Sequence, residues 1–168
     1  MQHVTDCHSN KQIFSCMLTA MNMSTVVLAS DHAGFPLKEQ IKTYLQGKGM
    51  TVKDVGTFST DPVDYPAIIR KGCEEVLKDD AVGIVFGGSG NGEAMAANKM
   101  RGIRAAVVYS EETARLARAH NDANVMSLGA RLTDPSLAPL FVDIFLATPF
   151  DGGRHTARVQ DLDTPLLS

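Results

Sequence analysis

"AVGIVFGGSGNGEAMAANK", residues 81–99, joins a continuous apolar run to a glycine-rich turn and then to a helical pattern. An apolar run without polar alternation is what a parallel strand covered on both faces requires. Gly87 and Gly92 have the spacing of the two P-loop glycines, yet Glu93 and Ala94 stand where Lys and Ser or Thr should follow. No start within 87–92 puts glycines at i, i+2 and i+5, so the dinucleotide fingerprint is missing as well. What remains is a cradle of backbone N–H groups from about Gly88 to Gly92, with a carboxylate on its rim.

Outward from this stretch the same alternation repeats. "TVVLAS" (25–30), "TVKDV" (51–55), "AVGIVF" (81–86), "IRAAVVY" (103–109) and "NVMSLG" (124–129) read as strands. Helical patterns lie between and after them at about 35–48, 64–78, 92–99, 111–121 and 134–147, with a C-terminal helix from about 153. Strands alternating with helices predict an α/β chain: a three-layer α/β/α sandwich, doubly wound and Rossmann-like, around a five-stranded parallel sheet. In such sheets ligands bind beyond the carboxyl ends of the strands, where strand order switches. That singles out "SDHAG" after the first strand, "GGSGNGE" after the third and "SLGAR" after the fifth. "HND", by contrast, precedes the fifth strand.

Each candidate residue has two readings. The turn formed by Gly88, Ser89, Gly90, Asn91 and Gly92 is a nest that stabilises negative charge, suited to an oxyanion developing on a substrate. Glu93 is then the base that creates the oxyanion, kept ionised by the helix terminus; alternatively it only caps its helix. Asp31 is a ligand at a strand end or an N-cap for the helix that follows, and His32 a ligand or ordinary surface. His120 and Asn121 offer a proton carrier beside an orienting amide, or a polar helix end. Arg131 follows the fifth strand. Arg154 and Arg158, at i and i+4, share one helix face, which suits either a phosphate or plain solvation.

Bulk properties narrow the classes. A chain of 168 residues with 44% hydrophobic and 21% charged residues fits one globular domain, assigned to 23–168, preceded by a poorly ordered extension over 1–22. Net charge is −3 without a basic block, which gives no support to nucleic-acid or membrane-surface binding. "LFVDIFLA" is far short of the ~20 residues of a membrane span. Cys7, Cys16 and Cys73 form neither a disulfide framework nor a zinc spacing, and a clip from Cys7, Cys16, His3 and His8 lacks any CxxC unit. A reducing, cytoplasmic setting follows.

Taken in order, "SDHAG", "DYP" (64–66), "GGSGNGEAMAANK", "RAHND", "GAR" and "GGRHTAR" resemble the ribose-5-phosphate isomerase B family of sugar-phosphate isomerases, from about Met23 to Gln160. The resemblance implies an aldose–ketose isomerase acting on ribose 5-phosphate and ribulose 5-phosphate through a cis-enediolate, without metal or nucleotide. Many members place a cysteine base directly after the third strand. This sequence has Gly87 there, and Glu93 matches a branch with Glu in the "GSGNGE" context. By the same matching, Ser89 and the turn hold the enediolate, His120 opens the furanose ring and Asp31 assists at the hydroxyls. His32, Asn121, Arg131, Arg154 and Arg158 bind the substrate, with the arginines on the phosphate. A homodimer or tetramer of dimers with sites shared between subunits is implied. Alternatives are an isomerase of galactose 6-phosphate, allose 6-phosphate or a tetrulose phosphate, and, more distantly, a nucleotide- or flavin-binding module on the same scaffold.

Overall fold

Residues 25–164 are described by the computed structural model, so the expectations for 1–22, Cys7 and Cys16 lie outside the described residues. Five strands, β1 (Thr25–Ser30), β2 (Thr51–Asp54), β3 (Val82–Gly87), β4 (Ala105–Val108) and β5 (Val125–Gly129), form one parallel sheet in the order β2-β1-β3-β5-β4. The helices are α1 (Phe35–Gly47), α2 (Tyr65–Asp79), α3 (Asn91–Ala97), α4 (Glu111–Asn121), α5 (Ala138–Ala147) and α6 (Thr156–Asp161). This is the sandwich that the alternating pattern predicts.

The strand period of two explains the layers. Val26 and Leu28 of β1 pack with Leu37, Ile41 and Leu45 of α1 and with Phe141, Val142 and Phe145 of α5. Their neighbours Val27 and Ala29 point to the other face, against Ile69, Cys73 and Val76 of α2 and Ala97 of α3. Both faces are covered, which is why the inner strands β1, β3 and β5 read as largely apolar runs.

Three boundaries differ from the sequence reading, each for a local reason. The fourth strand is shorter than 103–109 because side chains take over its ends. Asn124 Oδ1 accepts from Arg104 N–H at 2.8 Å, and Thr113 Oγ1 accepts from Tyr109 N–H at 3.1 Å in the cap of α4. The helix expected from 134 starts at Ala138, since Asp134 first closes a turn by accepting from the N–H and hydroxyl of Ser136. The C-terminal helix begins as a 3₁₀ turn, Gly153–His155, and becomes α-helical only at Thr156. Arg154 and Arg158 therefore do not occupy i and i+4 of one α-helix. A 3₁₀ turn has about 3.0 residues per turn, so the i, i+4 spacing of one α-helix does not apply to Arg154.

The chain steps from β1 outward to β2, then back across β1 to β3. Loops leaving β1 and β3 thus diverge and open a crevice at their carboxyl ends. The segment after β2 borders it and is anchored by a buried ion pair. Lys38 is fully buried, with Nζ 2.7 and 2.6 Å from the two Asp54 carboxylate oxygens and the rings of Phe35 and Phe58 at 5.3 and 5.1 Å. Lys42 adds a contact to Asp54 at 2.8 Å. Burial alone would raise the Asp54 carboxyl, but hydrogen bonds from Lys38, Lys42 and the Gly56 N–H hold it below the ordinary aspartate value. Its stabilising contribution is present above that ordinary value and is lost as pH falls through the depressed one. Asp54→Ala leaves the Lys38 ammonium buried without its main partner, so unfolding in urea at neutral pH should show a loss of roughly 3–5 kcal/mol. A loss within a few tenths would mean that Glu39, 2.9 Å from the same nitrogen, carries the charge alone.

Candidate active site

At the crevice the two strand ends are tied to each other. Asp31 N–H donates to the Phe86 carbonyl at 3.1 Å, and Asp31 Oδ1 accepts from Gly34 N–H at 2.8 Å. The capping role foreseen for Asp31 is realised one turn early, because the carboxylate closes the turn before α1, while the residue also lines the cavity. His32 Nδ1 lies 3.2 Å from Val63 N and 3.3 Å from Val63 O. In the tautomer that accepts from Val63 N–H, the ring proton sits on Nε2.

The turn after β3 has its oxygens engaged by the protein. The Gly87 and Gly88 carbonyls accept from Ala130 and Arg131 N–H at 2.8 and 3.0 Å, and the Gly90 carbonyl accepts from the Ser127 hydroxyl at 2.6 Å. Among the described residues, no backbone acceptor takes the N–H of Gly88, Ser89 or Gly90. Gly90 has φ +79°, a left-handed conformation that suits glycine and turns the loop into α3. A cavity of about 310 Å³ follows, lined by Asp31, Tyr65, Gly88, Ser89, Gly92, Glu93, Arg131 and Leu132.

Glu93 decides what this cavity can do. It is 4% exposed, in the first turn of a helix only seven residues long. Its carboxylate fills the space in which a β-carbon at position 87 would stand. A side chain at 87 would have to displace the Glu93 carboxylate from this position. The helix terminus is not the largest influence on the Glu93 carboxyl. Burial pushes its carboxyl above the ordinary glutamate value, its own backbone N–H offsets only part of this, and the charge of Asp31 adds to the rise. A short helix has little dipole to oppose desolvation. The result is a stronger base, suited to removing a proton from carbon.

His120 and Asn121 lie elsewhere. They end α4, which runs back against the strands, and β5 begins shortly after at Val125. They therefore sit at the amino end of the sheet, while Glu93 sits at its carboxyl end, about 15 Å away along a five-residue strand. A second cavity of about 240 Å³ is lined by His120, Asn121, His155, Arg158, Val159 and Leu162. It shares no lining residue with the first. The chain thus brings Asp31, Ser89, Glu93 and Arg131 together and His120, Asn121 and Arg158 together, but does not join the two sets. His32, Gly90 and Asn91 flank the first cavity in sequence without lining it; Arg154 contacts the second set through His155.

Two residues escaped the sequence reading. Tyr65 faces the first cavity, its ring against Gly92, and its only sequence signal is the "DYP" that opens α2. His155 stacks on His120 with ring centroids 4.3 Å apart and planes 10° from parallel. Being next to Arg154, it was legible only as part of "GGRHTAR". Among the described residues no three His, Cys, Asp or Glu side chains gather as a metal site would require, and no helix is long and apolar enough to cross a membrane.

A parallel sheet with an N–H turn and a buried carboxylate at its switch point has the layout of an α/β enzyme rather than of a phosphate-loop protein. Comparison with known proteins agrees. The ribose/galactose isomerase family matches residues 26–162, and the chain belongs to that family. It is 46% identical over 140 residues to the ribose-5-phosphate isomerase B of Mycolicibacterium paratuberculosis, covering 82% of this chain and 88% of the relative. Among solved structures, a ribose 5-phosphate isomerase from Thermotoga maritima superposes with a TM-score of 0.82 at 49% identity, over 83% of this chain and 97% of that one. The Mycoplasma genitalium ribose-5-phosphate isomerase B, solved with bound ribulose-5-phosphate, gives 0.79 at 40% identity, over 83% and 95%.

The raised Glu93 carboxyl separates base from cap. A group whose folded pKa is raised stabilises the fold below its unfolded pKa, and that contribution is lost as pH rises through the folded value. Glu93→Gln should therefore unfold later than wild type in thermal melts at pH 7, with the gap closing as pH falls into the ordinary glutamate range. A variant less stable than wild type at pH 7 would mean that the ionised carboxylate is a net cap.

Proposed function

We propose that this protein is an aldose–ketose isomerase that interconverts D-ribose 5-phosphate and D-ribulose 5-phosphate, with Glu93 as the base. One observation carries the proposal: a buried carboxylate of raised basicity, beside an N–H turn, at the switch point of the sheet. The likeness to a protein solved with ribulose-5-phosphate bound supports the choice of sugar.

In this reading His120 transfers the proton that opens the furanose ring. Glu93 takes the C2 proton of the open-chain aldose. The electron pair left at C2 forms the C1–C2 double bond, and the carbonyl π pair moves onto O1. The N–H groups of Gly88 to Gly92 and the Ser89 hydroxyl stabilise the resulting enediolate. Glu93 returns the proton at C1 while the O2 hydrogen passes to O1, giving the ketose. Asp31 and His32 meet the hydroxyls, Asn121 orients the sugar, and Arg131, Arg154 and Arg158 hold the phosphate. Because the two residue sets sit at opposite ends of one sheet, a second copy supplies the missing set to each crevice, as a homodimer or as a tetramer of dimers. A buried thiol, Cys73, with its pKa pushed up to about 12, is inert in this scheme and compatible with a reducing cytoplasm.

A coupled isomerase assay over five- and six-carbon aldose phosphates tests the proposal. Ribose 5-phosphate should give the highest kcat/KM. Replacing Arg154 or Arg158 by Ala should raise KM roughly ten- to hundredfold, as a lost charge-assisted contact of about 1.5–3 kcal/mol implies. Preference for a six-carbon substrate would move the assignment to galactose or allose 6-phosphate. A double arginine variant with normal KM would place the phosphate elsewhere.

A further inference from the structure

The stacked imidazole pair at the end of α4 is not accounted for by the reaction above, which uses only one of its members. His120 is the accessible ring, its side chain 35% exposed, with Nε2 3.9 Å from Asp151 Oδ2. His155 is the covered ring, 9% exposed, and lies face to face with it. Its Nε2 accepts from Arg154 Nε at 3.3 Å, which fixes its proton on Nδ1. We propose that His155 is the positioning residue for His120: its face sets the plane of the reactive imidazole, and its bond to Arg154 couples that plane to the phosphate-binding arginine. This inference rests on the isomerase reading, in which His120 moves a proton and Arg154 binds an anion.

Three considerations carry it. An imidazole at the end of a helix, one-third exposed, has free rotation about its side-chain bonds unless something holds it, and a general acid must lie within a few tenths of an ångström of its target. A flat partner at 4.3 Å supplies that restraint without consuming either ring nitrogen of His120. Secondly, a stacked pair works only if both rings do not charge together. Burial first, then His120, Arg154 and Arg158, hold His155 below the ordinary histidine value, with Asp151 acting in the opposite sense. The geometry agrees, because a His155 Nε2 that accepts from Arg154 carries no proton. Finally, Arg154 uses its Nε on His155, which leaves both terminal nitrogens of the guanidinium for an anion in bidentate geometry. Phosphate capture then holds Arg154, Arg154 holds His155, and His155 holds His120.

The test is a double-mutant cycle with substrate kinetics. His155→Ala should lower kcat by about tenfold or more. His155→Phe keeps the flat face and should recover kcat to within about threefold of wild type, while its KM stays raised because Arg154 has lost its acceptor. In a His120→Asn background, His155→Ala should cost almost nothing further in kcat, because its effect passes through His120. Equal losses in both backgrounds, with thermal melts showing every variant folded, would make His155 a structural residue only and overturn the inference. Normal kcat in His155→Ala would do the same. If His120→Asn itself has normal kcat, the underlying assignment of His120 fails instead, and the two failures are told apart.

Discussion

The site depends on a carboxylate occupying the place of a missing β-carbon. Glu93 reaches back from the first turn of α3 to lie over Gly87, at the last residue of β3. Its burial there does two things with one cause. Desolvation makes the ionised form expensive, which raises its basicity, and the same exclusion of water strengthens whatever the neighbouring N–H groups do to an oxyanion. A side chain at 87 would need the same volume, so the carboxylate lies there because position 87 is glycine. Nothing about α3 makes it a strong helix: it has seven residues and no side-chain cap. It exists to carry Glu93 and is held by packing of Ala94 and Ala97 against the sheet and its neighbours.

Around this contact the fold supplies fixed walls. The Lys38–Asp54 pair pins the end of β2, the following segment brings Val63 to His32, and α2 then opens with Tyr65 against Gly92. On the other side of β3, backbone bonds from Ala130 and Arg131 to Gly87 and Gly88 lock the β5 loop onto the glycine turn and seat the Arg131 guanidinium beside it. These contacts come from strands adjacent in the sheet but distant in sequence. The chemistry is therefore as rigid as the sheet order itself. The histidine set belongs to the opposite end of that sheet, where it lines a separate cavity.

Much of the fold was legible because the three inner strands are covered on both faces, which writes them as nearly uninterrupted apolar runs. The turn after β3 was equally legible, since glycines at a strand-to-helix junction leave few other conformations. The ends of elements were less so. Side chains of Asn124, Thr113 and Asp134 compete with backbone pairing there, and no local pattern announces which will win. The i, i+4 argument for Arg154 and Arg158 failed because it presumed an α-helix where Gly152 and Gly153, both at positive φ, start a 3₁₀ turn. The weight of burial on Glu93 was not legible for a related reason. Helix position can be seen in sequence, but burial depends on Gly87 and Asp31, which reach Glu93 only after folding. Stacking of His155 on His120 joins residues thirty-five apart in the chain and has no sequence signature at all.

The central claim, that the Glu93 carboxylate removes the C2 proton, is tested most directly by hydrogen exchange at that carbon. Ribose 5-phosphate incubated with enzyme in deuterium oxide can be followed by proton NMR at C2, for wild type and for Glu93→Gln, under conditions where both are folded. Loss of the base should slow C2 exchange by at least ~10²-fold while the affinity for substrate is nearly kept. Exchange at the wild-type rate in Glu93→Gln would contradict the account, and the base would have to be sought at Asp31 or at His120.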